Sequence, residues 1–266
     1  MIIYFSGTGN TRHCAEYLAQ ALGDTLLSLD ATMLRRPAEA TIDSGGEERI
    51  IWMFPTYSWG IPEKIATLMR EATLTDNAHH ATAWMVTTCG DDIGRTAAQW
   101  RGIMHRRGLT TAAAFSVIMP NTYTFMKGYD TDPAELEQQK LAASSATLDN
   151  IARAIAAGNA TADVVTEGRF PWIKTAIVRP YFNRFCTSPK PFHSSDACTR
   201  CGLCARTCPM DNIAMTGADG KPAWDNECML CTRCYHICPT HAVEYGRQTA
   251  GKGQYRHFLR HLRDKK

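Results

Sequence analysis

Short apolar runs alternate with longer amphipathic ones over the first 157 residues. Met1–Ser6, Thr25–Leu29, Ile50–Phe54, Thr82–Thr88 and Ala113–Met119 are compact apolar runs that predict strands. Arg12–Leu22, Pro62–Ala72, Arg95–Arg107 and Pro133–Ala157 repeat apolar residues every three or four positions and predict helices. Strand–helix alternation of this length implies a parallel sheet covered on both faces. Five strands predict one doubly wound α/β domain over residues 1–157. Residues 30–48 follow neither period; with Gly45-Gly46 and an acidic cluster they read as a loop or a degraded helix.

The pattern changes at residues 158–190. After the polar Gly158-Asn-Ala-Thr and then Phe170-Pro-Trp-Ile, apolar residues recur every four positions at Ile173, Ile177, Tyr181 and Phe185. Lys174, Arg179 and Arg184 lie between them. This predicts a basic amphipathic linker, kinked or broken at Pro180. Its apolar stripe is expected to dock one domain on the other, with a membrane surface as the alternative.

Residues 191–246 contain a repeat. Cys198, Cys201, Cys204, Cys208 and Pro209 recur thirty positions later as Cys228, Cys231, Cys234, Cys238 and Pro239, and Ile213 matches Val243. Two copies in register predict two small units packed about a pseudo-dyad. Each copy reads C-x2-C-x2-C-x3-C-P. Three cysteines spaced by two can wrap three corners of a cubane [4Fe–4S] cluster from one tight loop, while the fourth ligates the other cluster. The expected sets are therefore Cys198, Cys201, Cys204 and Cys238 for one cluster, and Cys228, Cys231, Cys234 and Cys208 for the other. Zinc sites usually pair two C-x2-C elements across a long loop, so four cysteines in eleven residues argue against zinc.

These residues resemble the bacterial two-cluster ferredoxins, over roughly 55 positions. The resemblance implies a small α+β domain and low-potential one-electron transfer. Leu203, Ile213, Ile237 and Val243 are suited to exclude water, and Gly202 to let backbone amides approach the sulfurs.

Ser6-Gly-Thr-Gly-Asn-Thr follows the first strand and opens the first helix. Its glycines permit a tight turn, and helix N-terminal amides bind anions. Arg12 stands where a dinucleotide fingerprint needs its third glycine, and no Gly-Lys-Ser/Thr ending is present. A neutral, hydroxyl-rich cradle suits a terminal phosphate such as that of FMN; the alternative is a capped helix start. Pro55, Thr56, Tyr57, Ser58, Trp59 and Gly60 leave the third strand, and Thr88, Cys89, Gly90 and Asp91 leave the fourth. In a 2-1-3-4-5 sheet these loops end together at the switch point.

Residues 1–157 thereby resemble flavodoxin. The resemblance implies FMN phosphate on Ser6, Gly7, Thr8, Gly9, Asn10 and Thr11, with Tyr57 or Trp59 flanking the ring. Residues 89–94 lack the second stacking aromatic common in flavodoxins, and Tyr123 is the nearest candidate to replace it. Taken whole, the chain resembles fused flavodoxin–ferredoxin proteins of anaerobic bacteria, including the ending Glu244-Tyr-Gly-Arg-Gln-Thr-Ala-Gly-Lys-Gly-Gln-Tyr-Arg-His. That implies electron transfer between FMN, two clusters and outside redox proteins. Two alternatives stay open: a flavin-dependent reductase fed by the clusters, and an electron carrier whose flavodoxin-like domain no longer binds FMN. Intramolecular transfer requires the ferredoxin unit to pack on the sheet edge where the three loops converge, with Asn121–Tyr123 in the contact.

Composition sharpens the picture in three places. Eleven cysteines are many for a cytoplasmic protein, and eight fall between Cys198 and Cys238, which favours metal ligation over disulfides. No run approaches the ~20 apolar residues of a membrane span, and the start shows no signal-peptide pattern, so the expected location is cytoplasmic. Residues 247–266 carry seven Lys or Arg against one acid, a tail of +6 that leaves residues 1–246 at −3 of the total +3. The tail is expected to be solvated or to touch an acidic or membrane surface weakly; no nucleic acid is expected.

Overall fold

The computed structural model describes residues 1–259 and Leu262, except the side chain of Ala218. Its centre is a five-stranded sheet of β1 (Ile2–Tyr4), β2 (Leu26–Ser28), β3 (Arg49–Pro55), β4 (Thr82–Cys89) and β5 (Thr111–Ile118). All pairings are parallel, and the order is β2-β1-β3-β4-β5. This is the flavodoxin-like doubly wound arrangement, with its switch point between β1 and β3.

The strand periodicity of two sorts the core. Ile3, Phe5, Ile50, Trp52, Phe54 and Met85 belong to one buried cluster; Ile2, Ile51, Met53, Trp84 and Val86 belong to another. Helices α1 (Asn10–Leu22) and α4 (Ala134–Ala157) cover the second face through Cys14, Leu18, Leu148, Ile151 and Ile155. Helices α2 (Glu63–Glu71) and α3 (Thr96–Arg106) cover the first through Ile65, Leu68, Trp100 and Met104. Each expected strand and helix is present with ends shifted by a few residues. Residues 30–48 hold a short helix (Ala31–Arg35) and a two-residue strand (Thr41–Ile42) that pairs with Thr73–Leu74.

The linker helix α5 runs through Pro171–Ile173, Lys174–Val178 and Arg179–Phe185. Pro180 does not break it. The turn at Lys174–Val178 is a π-turn, in which the Arg179 N–H reaches back to the Lys174 carbonyl. That widening precedes the position where proline removes an N–H, so the helix passes through intact.

The C-terminal unit has two antiparallel pairs: β6 (Phe192–Ser194) with β9 (Val243–Tyr245), and β7 (Ile213–Ala214) with β8 (Ala223–Trp224). Short helices α6 (Leu203–Arg206) and α7 (Arg233–Ile237) pack between them. The repeat extends to the backbone. Arg200 and Leu230, Gly202 and Thr232, Asp211 and His241 form three pairs thirty residues apart, all with left-handed φ of 46° to 70°.

Candidate functional site

The eight repeat cysteines separate into two groups of four. Cys198, Cys201, Cys204 and Cys238 line one cavity. Cys208, Cys228, Cys231 and Cys234 line another. These are the crossed sets expected from the spacing. Among the described residues, no three His, Cys, Asp or Glu side chains converge as they would on a single metal ion. The thiols instead surround spaces lined by Leu203, Val243 and Pro239, or by Ile213, Trp224 and Pro209.

Backbone amides already point at several sulfurs. Leu230 N–H donates to Cys228 Sγ at 3.3 Å, Asn212 to Cys208 at 3.4 Å and Ala242 to Cys238 at 3.2 Å. Such bonds stabilise charge on ligating thiolates. Burial pushes the Cys204 thiol up to about 11, Cys228 to about 12 and Cys231 to about 11. Thiols placed so are neutral near pH 7 and become thiolates by ligating a cation. The donor set fits two cubane clusters.

The two cavities differ in their surroundings. Cys201 is exposed, as are Thr199 and Arg200 beside it. Cys231 faces inward: a Cβ added at Gly7 would lie 2.9 Å from the Cys231 Cβ and 2.8 Å from the Tyr57 hydroxyl. Met210 belongs to the core on one face of the sheet, with Cys208, Met229 and Cys231 packed against it. The ferredoxin unit therefore sits on the C-terminal edge of the sheet, where Ser6–Thr11 and the loops after β3 and β4 converge. Phe125, from the segment after β5, in turn inserts among Phe192, Tyr235 and Tyr245.

Two side chains clamp this contact. Arg233, buried by neighbouring groups that depress its pKa through desolvation, donates to the Ser6, Gly7 and Thr207 carbonyls. His236, fully buried, is held neutral by desolvation with its pKa lowered to about 4. Its Nε2 pairs with the Thr122 carbonyl at 2.8 Å, and its Nδ1 accepts the Tyr255 N–H at 3.1 Å.

This contact closes the expected phosphate loop. Gly9 N–H turns inward to Ser6 Oγ at 3.1 Å. Thr11 and Thr88 share a hydroxyl bond of 2.8 Å, and Thr8 reaches the Thr122 hydroxyl at 3.4 Å. Asn10 donates to the Pro120 carbonyl and accepts from the Tyr255 hydroxyl at 2.7 Å. Phe258 covers Gly9, whose φ is 100°, and stacks on His13 with ring centroids 4.4 Å apart. Cys231, Arg233, Tyr255 and Phe258 thus stand where a phosphate would approach Ser6–Thr11.

The other expected flavin residues are similarly engaged. Tyr57 lies beside Gly7 and the Cys231 and Cys228 thiols, and burial holds its hydroxyl well above the usual range. Ser58 and Trp59 have left-handed φ of 46° and 55°, in a turn closed by Tyr57 N–H to the Gly60 carbonyl. Arg179 lies over Gly60 and donates to the Tyr57 and Ile61 carbonyls. Thr56 bonds the Thr87 hydroxyl next to Pro55. Cys89 is buried with its thiol pushed up to about 12, Lys140 holds the Gly90 carbonyl at 2.9 Å, and Asp91 is exposed. Tyr123 packs edge-on against Phe125, Tyr129 and Phe182.

Two further expectations are corrected. The linker docks through its polar face: Lys174 pairs with Asp92 at 2.5 Å, and Thr175 donates to the Trp59 carbonyl at 2.9 Å. The apolar stripe faces out, because the loop edge offers carbonyls and a carboxylate. The basic tail is also not simply solvated. Lys252 donates to the Thr124 and Met126 carbonyls, and Gly253 N–H to Asp130. Arg260, Arg263, Lys265 and Lys266 lie outside the described residues.

Gly9 provides a direct check on this closure. Gly9→Ala would place a methyl 2.5 Å from the Phe258 Cβ at a φ that alanine resists. The variant is expected to lose about 2 kcal/mol of stability. Limited proteolysis should cleave the C-terminal segment faster than in the parent protein; equal rates would contradict the closure.

Residues 190–239 match the model of the 4Fe-4S dicluster domain. A search of curated proteins finds no match. Among solved structures, a putative flavoprotein from Bacteroides uniformis is similar, at 14% identity and TM-score 0.35, covering 44% of this chain and 88% of its own. A flavodoxin from Streptococcus pneumoniae shares 17% identity at TM-score 0.32, covering 56% of this chain and 97% of its own. A short-chain flavodoxin associated with a bacterial microcompartment shares 15% identity at TM-score 0.32, covering 57% and 96%. The chain joins a doubly wound parallel sheet to a 4Fe–4S dicluster domain, and that domain points to electron transfer.

Proposed function

We propose that this protein is a two-cluster electron carrier whose flavodoxin-like domain serves as a platform for the ferredoxin unit and holds no flavin while that unit is docked. The observation that carries the reading is the Cys231–Gly7 and Phe258–Gly9 contact, which places the chain's own atoms in the phosphate loop. Each cluster, when bound, supplies a one-electron couple. Cys198, Cys201, Cys204 and Cys238 would hold the one that meets outside redox proteins, since Cys201 is exposed. Cys208, Cys228, Cys231 and Cys234 would hold the other. Tyr57, Met210 and Met229 exclude water from its sheet-facing side.

Anaerobic purification with iron, sulfide and flavin quantified together tests this. The expected result is about eight iron and eight sulfide per chain, as two cubanes require, with flavin far below one per chain and no gain on adding FMN. Stoichiometric FMN that survives gel filtration would overturn the platform reading and restore the FMN-to-cluster carrier.

A further inference from the structure

Among the described residues, the outward face of α5 has no partner within the chain. Phe170, Trp172, Ile173, Ile177, Tyr181 and Phe185 are each 44% to 64% exposed. Single exposed apolar residues are ordinary on a protein surface, but a contiguous row of six large ones marks an interaction site. The inner face of the same helix is polar and engaged, with Lys174 on Asp92, Thr175 on Trp59 and Arg179 buried over Gly60. The row therefore cannot rotate inward without breaking those contacts.

Charge says what covers it. From Gly168 to Ser195 there is no Asp or Glu, and there are five Lys or Arg. Lys174 and Arg179 face the domain, while Arg169, Arg184 and Lys190 are exposed at the ends of the row. The Arg169 guanidinium lies 4.6 Å from the Phe170 ring centroid, and that of Arg184 lies 5.4 Å from Phe185. Each cation is thus carried at the edge of an aromatic anchor. A second copy of the chain would bring two cationic rims together, which like-charge repulsion opposes. An anionic lipid surface satisfies both features, apolar side chains entering the acyl boundary and Arg or Lys meeting headgroups. Trp172 and Tyr181 suit that depth, having an apolar body and a polar edge. The sixteen residues from Phe170 to Phe185 span roughly 24 Å as a helix, too short to cross a bilayer but suited to lie in its surface. No described helix is long and apolar enough to cross a membrane.

We infer that α5 is an interfacial anchor that seats the protein on membranes containing anionic lipid. The site is independent of either cluster and of the flavin question.

Flotation of the cluster-loaded protein with vesicles tests it. One set is phosphatidylcholine alone, the other phosphatidylcholine with phosphatidylglycerol. The protein is expected to float with the anionic vesicles, to bind the neutral ones at least tenfold more weakly, and to be released by raised salt. Trp172→Glu with Ile177→Glu, and separately Arg169→Glu with Arg184→Glu, are each expected to weaken binding at least tenfold. All four side chains are exposed, so unchanged cluster absorbance and melting would show that the fold is intact. No flotation with either vesicle, or equal flotation with both, would overturn the inference. So would a concentration-dependent dimer that Ile177→Glu dissolves, which would assign the face to a second copy.

Discussion

Cys238→Ser is expected to lower iron from about eight to about four per chain and to remove the signal of one cluster only. The lost cluster is the one whose other ligands are Cys198, Cys201 and Cys204, although Cys238 lies thirty-four residues beyond the nearest of them. All four line one cavity, and Cys238 Sγ is oriented there by the Ala242 N–H. A serine hydroxyl is a harder and weaker ligand for an iron–sulfur cluster than a thiolate. Cys208→Ser is the mirror experiment and is expected to damage the set of Cys228, Cys231 and Cys234. Electron paramagnetic resonance of the reduced variants, compared with the parent spectrum, assigns each loss. If Cys238→Ser removed the Cys228-set signal, the crossed assignment would be wrong. Because Cys208 and Cys231 pack against the core on one face of the sheet, the Cys208 variant is also expected to loosen the two units, while the Cys238 variant is not.

The strand and helix pattern was readable because each element buries a face whose period appears in its own residues. The segment 30–48 was not, because Thr41–Ile42 is a strand only by pairing with Thr73–Leu74, a relation that neither segment's pattern contains. The cluster ligands were readable because C-x2-C-x2-C-x3-C fixes chemistry at short range. The fate of Ser6–Thr11 was not, since several of the groups that cover it, from Pro120, Thr122, Cys231, Tyr255 and Phe258, lie more than a hundred positions away. A signal did exist in the repeat. Its second copy has Arg233 where the first has Leu203, and His236 where the first has Arg206. In a pseudo-symmetric pair, a half-buried arginine replacing a buried leucine marks the copy that meets an outside surface rich in carbonyls. Both departures are the residues that clamp the ferredoxin unit to the N-terminal domain. The linker misled for a related reason. Its stripe reads as a docking face, yet docking is governed by what the opposite surface offers, and that surface offers Tyr57 and Ile61 carbonyls and the Asp92 carboxylate.

Arg233→Leu is expected to be among the most destabilising substitutions in the protein, far beyond any surface ion pair between the same two units. The guanidinium donates to three carbonyls, two of them in the N-terminal loop at Ser6 and Gly7. Leucine fills the apolar volume but leaves those acceptors short of a donor inside the contact, at ~1–3 kcal/mol each. Removing a buried cation offsets part of this, because its desolvation had been unfavourable. A net loss of about 3 kcal/mol remains, equivalent to a fall of roughly 6–12 °C in melting temperature for a chain of this size. Lys64 also links the units, through Glu227, but both side chains are about a third exposed or more. Lys64→Ala is therefore expected to cost under about 1 kcal/mol. Melting followed by visible cluster absorbance separates the two: a large shift for Arg233→Leu and almost none for Lys64→Ala. Limited proteolysis should also open the linker around residues 158–170 in the arginine variant alone. Equal, small shifts would mean that the two units do not depend on this clamp, and the platform role would then have to rest on Phe258 and Tyr255.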